Sequence, residues 1–326
     1  MKNELPQLAS PKLLILGTLP LPIGGVSIHV ERLLDHLNSA GYPYSFFDIK
    51  RDSISKAVTL FFKFKWLHLH TSSVYLRFAI ALAGKIFRKK IIITIHGNLG
   101  RFNTYKNILD NLSIKLCSVP IVINLQSLKK GIQLNKNTVL ISAFIPPFQN
   151  EFLEEKISEK IFKLRETYEV IFCTNAHNLS YDKKGNEIYQ ISLLIKIFKE
   201  LKHRALVIAD PSGAYKNYIN NIQEKLTGNI YFISKAHNFW EVIKLSDVFL
   251  RTTTTDGDSL SVKEALYLQK NVIATNVIDR PEGVILVDNT YDAIASAIQK
   301  IIPYPNPVKI DNAANLIIDL YKQKIH

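Results

Sequence analysis

Apolar runs of strand length alternate with segments of helical period along nearly all 326 residues, and this narrows the possible folds more than any other feature. Residues 13–17 read as a first buried strand. Val26, Val30, Leu33, Leu34 and Leu37 then repeat with helical period over 26–40, and Gly41 stops the helix. Further strands are expected at 44–48, 66–70, 91–96, 120–124 and 138–142, with helical stretches between most of them. The alternation breaks at two prolines in AFIPPFQ, 143–149. It restarts with a strand at 169–174, a helix at 187–202, a strand at 205–209 and a helix near 215–226. Segments at 230–233, 240–245 and 247–250, a helix opening at 259–261 and a strand at 272–275 follow, and 307–325 reads as an amphipathic helix.

Such β/α alternation predicts parallel sheets with right-handed crossovers. The expected division is 1–148, a charged linker at 149–168, a second domain at 169–305 and a terminal segment at 306–326. The fold class is α/β, with two doubly wound Rossmann-like domains facing a cleft. Open parallel sheets bind ligands at the carboxyl ends of their strands.

The bulk composition excludes several classes. Apolar residues make up 47% of the chain, too many for general disorder. Cys117 and Cys173 lie far apart in apolar segments, so two buried free thiols are expected. The first apolar run is short and starts at Leu13, unlike a signal peptide. The best membrane-span candidate, 74–87, is broken by Arg77 and Lys85. A cytoplasmic protein is therefore expected, at most peripheral on the inner face of the cell membrane. The net charge of +13 implies an anionic partner. LFFKFKW at 60–66 and KIFRKK at 85–90 interleave aromatics with cations, which suits a solvated basic helix face or an anionic membrane surface. No nucleic-acid motif accompanies the charge, so nucleic acid is not expected as a partner.

The chemistry concentrates in 251–283, RTTTTDGDSLSVKEALYLQKNVIATNVIDRPEG. A Thr-rich loop containing Gly257 feeds a helix that opens at Ser259, Leu260 and Ser261. A helix start presents unpaired N–H groups and a positive dipole end to phosphate. Glu264, one turn further in, can reach hydroxyls on whatever that phosphate carries, so the arrangement suits a sugar nucleotide. Asp256 lies eight residues before Glu264, and the two can converge on one ligand. Asp256, Gly257 and Asp258 also form a D-x-D triplet, but the helix start and nearby lysines supply positive charge, so no metal is expected. Asp258 suits helix capping.

Other candidates stand at strand ends. Gly24 and Gly25 let the backbone approach a ligand after the first strand, although they form no G-x-G-x-x-G fingerprint. His96 ends a strand and precedes Gly97. His68 and His70 are read as facing opposite sides of their strand, with at most His70 in the cleft. Lys184, before Gly185, would sit at a helix entry as a mobile charge for a diphosphate. Asp210 occupies a turn after a strand.

The order within 252–283 resembles the donor half of GT-B glycosyltransferases, especially the retaining family 4 (group 1). That family carries Glu-x7-Glu, and Asp256 takes the first position here. Residues 24–29 and 94–97 are similar to further family segments, and the likeness covers nearly the whole chain. It implies a retaining, metal-independent, hexosyltransferase-type enzyme without a cofactor. Such an enzyme moves a sugar from a nucleotide-sugar donor to a saccharide or lipid-linked acceptor in polysaccharide or lipopolysaccharide synthesis. The resemblance places Glu264 on the ribose, Asp256 on the donor sugar and His96 beside it. It places Gly24 and Gly25 by the donor phosphates, Asp210 by the nucleotide, and Lys184 with Ser259, Leu260 and Ser261 on the departing diphosphate. It also sends the last helix back to the first domain. The family's upstream arginine is missing: 174–177 reads TNAH, and His177 is the candidate substitute. The alternatives are a nucleotide-sugar epimerase, a non-catalytic sugar-nucleotide-binding module or, from charge alone, a nucleic-acid binder.

Overall fold

The computed structural model describes residues 12–20, 24–148, 152–222, 225–256 and 259–325. The chain divides into two units, 1–148 with 311–326, and 149–310.

In the first unit the elements run β1 (Leu13–Gly17), α1 (Gly25–Ser39), β2 (Ser45–Asp48), α2 (Ile54–Lys63), β3 (Trp66–His70), α3 (Val74–Ile86), β4 (Lys90–Ile95), α4 (Thr104–Leu116), β5 (Val119–Val122), α5 (Leu125–Leu134) and β6 (Val139–Leu140). The sheet order is β2-β1-β3-β4-β5-β6, and every pairing is parallel. β1 and the first five residues after the exposed Lys90 of β4 are fully buried, as expected for strands covered on both faces. Gly17 lies so close to Val30 that a Cβ there would sit 2.9 Å from a valine methyl, which is how α1 packs tightly on β1. Gly41, at φ +61°, ends the α1 region in the left-handed conformation that glycine tolerates.

The second unit begins with α6 (Glu155–Thr167) and β7 (Val170–Asn175), then α7 (Ile191–Lys199), β8 (Arg204–Ala209), α8 (Ala214–Asn221), β9 (Ile230–Ile233), α9 (Phe239–Lys244), β10 (Val248–Arg251), α10 (Leu260–Tyr267), β11 (Asn271–Thr275), β12 (Val284–Val287) and α11 (Tyr291–Lys300). Its six strands, again parallel, are ordered β12-β11-β10-β7-β8-β9. The linker expected at 149–168 is mostly α6, because Ile157, Ile161 and Leu164 form an apolar stripe that packs into this unit's core with Ile171 and Phe249.

The last helix, α12 (Ala313–Ile325), belongs to the first unit. It starts six residues later than its sequence pattern suggested, and Ile317, Ile318 and Tyr321 join Leu13, Ile15 and Val30 in one core cluster. Cys117 and Cys173 are free and buried, and burial pushes both thiols up to about 12.

Candidate functional site

Asp256 and Ser261 are tied to the carboxyl ends of β7, β10 and β11 through Asn175, Arg251 and Arg280. Arg251 is the last residue of β10, and β10 lies beside β7 with Leu250 opposite Thr174. That register brings the Arg251 guanidinium to the tip of β7, where its Nη1 donates to Asn175 Oδ1 at 3.3 Å. An arginine therefore does stand at this strand tip, delivered by the neighbouring strand. His177, the expected substitute, is exposed.

Asp256 is held by two guanidiniums. Arg251 donates from Nε to Oδ2 at 2.9 Å and from Nη2 to Oδ1 at 2.7 Å. Arg280 donates from Nη1 to Oδ2 at 2.7 Å. All three side chains are nearly enclosed, at 12%, 5% and 2% exposure for Arg251, Asp256 and Arg280. Burial pushes the Asp256 carboxyl up, but the two arginines outweigh it and hold the group below its usual range. Two cations against one carboxylate leave a net positive charge at this strand edge. Sequence reasoning treated Arg280 as part of a pattern and overlooked Arg251. The available signal was an arginine closing a buried strand directly before the Thr-rich loop.

Asn175 also donates to Ser261 Oγ at 3.1 Å, which ties the tip of β7 to the first turn of α10. Ser259 is the N-cap of α10, with no side-chain cap hydrogen bond, and Leu260 begins the helix. Glu264 is 5% exposed and so is no ordinary surface glutamate. Gly257 and Asp258 lie outside the described residues.

Two further expected donor residues stand apart from this group. Lys184 is exposed in a turn, where its N–H donates to Asp182 Oδ1 at 2.8 Å. The helix expected from 187 starts only at Ile191, because Tyr181 pairs with Glu187 in an isolated bridge and Gln190 is left-handed at φ 50°. Lys184 is thus not at a helix entry. Asp210 is fully buried and caps α8: it accepts from Ser212 Oγ at 2.7 Å, Tyr215 N at 2.9 Å and Lys216 N at 3.2 Å. A polar pocket of about 420 Å³ adjoins the Thr-rich loop, lined by Asn186, Glu187, Gln190, Thr254 and Asn289 among others. Burial raises the Glu187 carboxyl above its usual range.

In the first unit, Gly24 caps α1, and a Cβ at Gly25 would meet open space, so neither glycine is demanded by packing. His96 follows β4, and a Cβ at Gly97 would strike the Arg101 guanidinium at 2.2 Å. His68 and His70 do not face opposite sides: their ring centroids are 4.0 Å apart, because residues two apart on a strand share a face. Both are buried. His68 is satisfied by the Tyr321 hydroxyl at Nδ1 and by Thr94 Oγ1 at Nε2, 2.8 Å away. Burial lowers all four histidines, His29 to about 4 and His68 to about 3, with His70 and His96 also well below the usual value.

Comparison with known proteins bears on fold and family. No curated protein sequence gives a match to this chain. The whole chain is similar to the Anabaena protein HepE, crystallised with UDP-glucose, at 14% identity, with 95% of this chain and 97% of that one covered and a TM-score of 0.63. It is similar to sucrose-phosphate synthase from Thermosynechococcus elongatus at 14% identity, 97% and 99% coverage and a TM-score of 0.64. The UDP-GlcNAc 2-epimerase of Neisseria meningitidis, bound to UDP-GlcNAc, aligns at 17% identity, 96% and 99% coverage and a TM-score of 0.60. The two parallel six-stranded α/β sheets are those of the GT-B fold, and residues 183–315 match the family described as "Glycosyl transferases group 1".

Proposed function

We propose that this protein is a retaining glycosyltransferase of family 4 type. It transfers a hexosyl group from a nucleotide-sugar to a saccharide or lipid-linked acceptor in polysaccharide or lipopolysaccharide assembly. The observation that carries this reading is the buried Glu264, eight residues beyond the arginine-held Asp256, within the segment that matches the group 1 family. Glu264 holds the nucleotide ribose. Asp256 orients the donor sugar and, equally, fixes Arg251 and Arg280. Their surplus charge and the α10 start at Ser259, Leu260 and Ser261 stabilise the departing diphosphate, and preorganised charge of this kind is usually the largest catalytic contribution. Lys184, exposed and inside the matched segment, adds a mobile cation. In the first unit, His96, Gly24 and Gly25 are the ligand-facing residues of this reading. The acceptor hydroxyl attacks on the face the leaving group vacates.

An exposed apolar and basic patch in the first unit supports a membrane-borne acceptor. α2 buries none of its residues, and Phe62 and Phe87 are 53% and 49% exposed with ring centroids 5.1 Å apart. Lys63, Lys65 and Lys90 are exposed nearby in the chain. Among the described residues no helix is long and apolar enough to cross a membrane.

Screening sugar nucleotides for thermal stabilisation tests donor binding, since a ligand at 100 times its Kd adds about 2.7 kcal/mol. Stabilisation by none of them would remove the proposal. Similarity to the 2-epimerases supports a second reading, nucleotide-sugar epimerisation. Conversion of a donor to its epimer without acceptor would select it.

A further inference from the structure

Three histidines of the first unit converge although 41 and 26 residues separate them in the chain. His29 comes from the buried face of α1, His70 is the last residue of β3, and His96 follows the end of β4. β3 and β4 are adjacent and parallel, with His70 opposite Thr94, so His70 and His96 leave the same edge of the sheet. That carboxyl edge is where open α/β sheets place ligands. One ring nitrogen from each of the three lies within 4.8 Å of the others. His29 is 2% and His70 1% exposed.

The hydrogen bonds identify which nitrogens are available. His29 Nδ1 lies 2.8 Å from the Ala143 carbonyl oxygen, which can only accept. Nδ1 therefore carries the proton, and the lone pair of His29 is on Nε2. That Nε2 is buried with no hydrogen-bond partner among the described residues, and so is His70 Nε2. An imidazole whose N–H is fixed by a backbone carbonyl, with the opposite nitrogen bare, is the usual arrangement of a metal-ligating histidine. His70 Nδ1 and His96 Nε2 share a hydrogen bond at 3.3 Å, which an ion held by these two nitrogens would replace. Two nitrogens each about 2.0–2.1 Å from one tetrahedral ion stand about 3.3 Å apart. His68 belongs to the same ring cluster but spends both nitrogens on Tyr321 and Thr94, so it supports the site from behind. The nearby Arg77 is neutralised by Asp110 at 2.6 Å.

We propose that His29, His70 and His96 bind one divalent first-row transition ion, zinc foremost, leaving a fourth position open to water or an alcohol oxygen. Three neutral imidazoles favour such an ion over the hard cations magnesium and calcium. The cluster's nitrogens are up to 4.8 Å apart, so binding the ion requires the three rings to close by about 1.5 Å to the spacing of a tetrahedral site. The site is independent of the glycosyltransferase reading.

Cobalt(II) is the probe, because its visible spectrum reports coordination number. Full-length protein dialysed against chelator is titrated with cobalt chloride, then with zinc chloride. One equivalent of cobalt should give the intense visible bands of a four-coordinate nitrogen site, and one equivalent of zinc should bleach them. H29A and H70A should weaken binding by at least about 100-fold. H203A, at a surface histidine of the second unit, should leave it unchanged. H29Q with an unaltered circular dichroism spectrum guards against loss of fold. A weak six-coordinate spectrum from the wild type, a thiolate charge-transfer band, or wild-type bands in H29A or H29Q would overturn the proposal.

Discussion

Arg251 grips both carboxylate oxygens of Asp256, Nε to Oδ2 at 2.9 Å and Nη2 to Oδ1 at 2.7 Å, across the first residues of the Thr-rich loop. This bidentate pair, with Arg280 on the same carboxylate, fixes the loop that leads into α10. Geometry of this kind is specific to arginine, since lysine offers no fork.

Removing the carboxylate should leave two buried guanidiniums facing each other. Asp256→Asn should therefore destabilise the second unit by about 3–5 kcal/mol, as for other buried pairs that lose one member. Urea unfolding in a Trp66→Phe background lets Trp240 report that unit alone. The pH dependence has a definite sign. The folded carboxyl lies below 3.8, so its contribution is complete above that pH and disappears as pH falls through the folded value. The stability gap between wild type and variant should hold from neutrality down to about pH 4 and close only below it. A gap that closes near neutrality would refute the pairing.

Glu264→Gln should weaken donor binding by roughly 1.5–3 kcal/mol, the range for hydrogen bonds to a charged group. Calorimetry with whichever sugar nucleotide stabilises the wild type measures it. Equal affinity in the variant would separate Glu264 from the ribose.

Under the proposed reading Arg251, Arg280 and the α10 start supply the positive charge for the diphosphate, so donor chemistry should need no hard cation. After exhaustive chelation, adding magnesium or manganese should not raise turnover. Restoration by either ion would show that the phosphate chemistry is wrong. Zinc is a separate matter, since the histidine cluster lies in the other unit.

The protein should bind anionic vesicles and leave them as salt rises. Each basic residue near such a surface contributes about 1 kcal/mol. Replacing Lys63, Lys65, Lys89 and Lys90 together by glutamine should strongly reduce binding, with activity on a short soluble acceptor nearly unchanged. Lys89 also caps the Phe62 carbonyl at 2.7 Å, so Lys89→Gln alone tests whether that contact matters. A wild type that ignores anionic vesicles at low salt would leave the patch a solvated surface.

The repeated β/α pattern was legible because strands buried on both faces read as continuous apolar runs. β12 was not, since its four residues are half-exposed at a sheet edge. The late start of α7 was hidden because the left-handed Gln190 has no sequence signature comparable to glycine. α6 looked like a linker because its charged residues outnumber the three apolar ones that dock. At the site, Glu264 and Asp256 were visible through their spacing. Arg251 was not, because only the β7–β10 register carries it to Asn175. The three histidines were likewise separate in sequence, and only the β1-β3-β4 order of the sheet brings them together.

The most direct test of the central claim follows one reaction by proton NMR: enzyme, a stabilising sugar nucleotide and an oligosaccharide acceptor. The account predicts a new glycosidic signal whose anomeric coupling matches that of the donor, with release of the nucleoside diphosphate and no epimerisation of the donor when the acceptor is withheld. A product of opposite anomeric configuration, or an epimerised sugar nucleotide formed without acceptor, would contradict it.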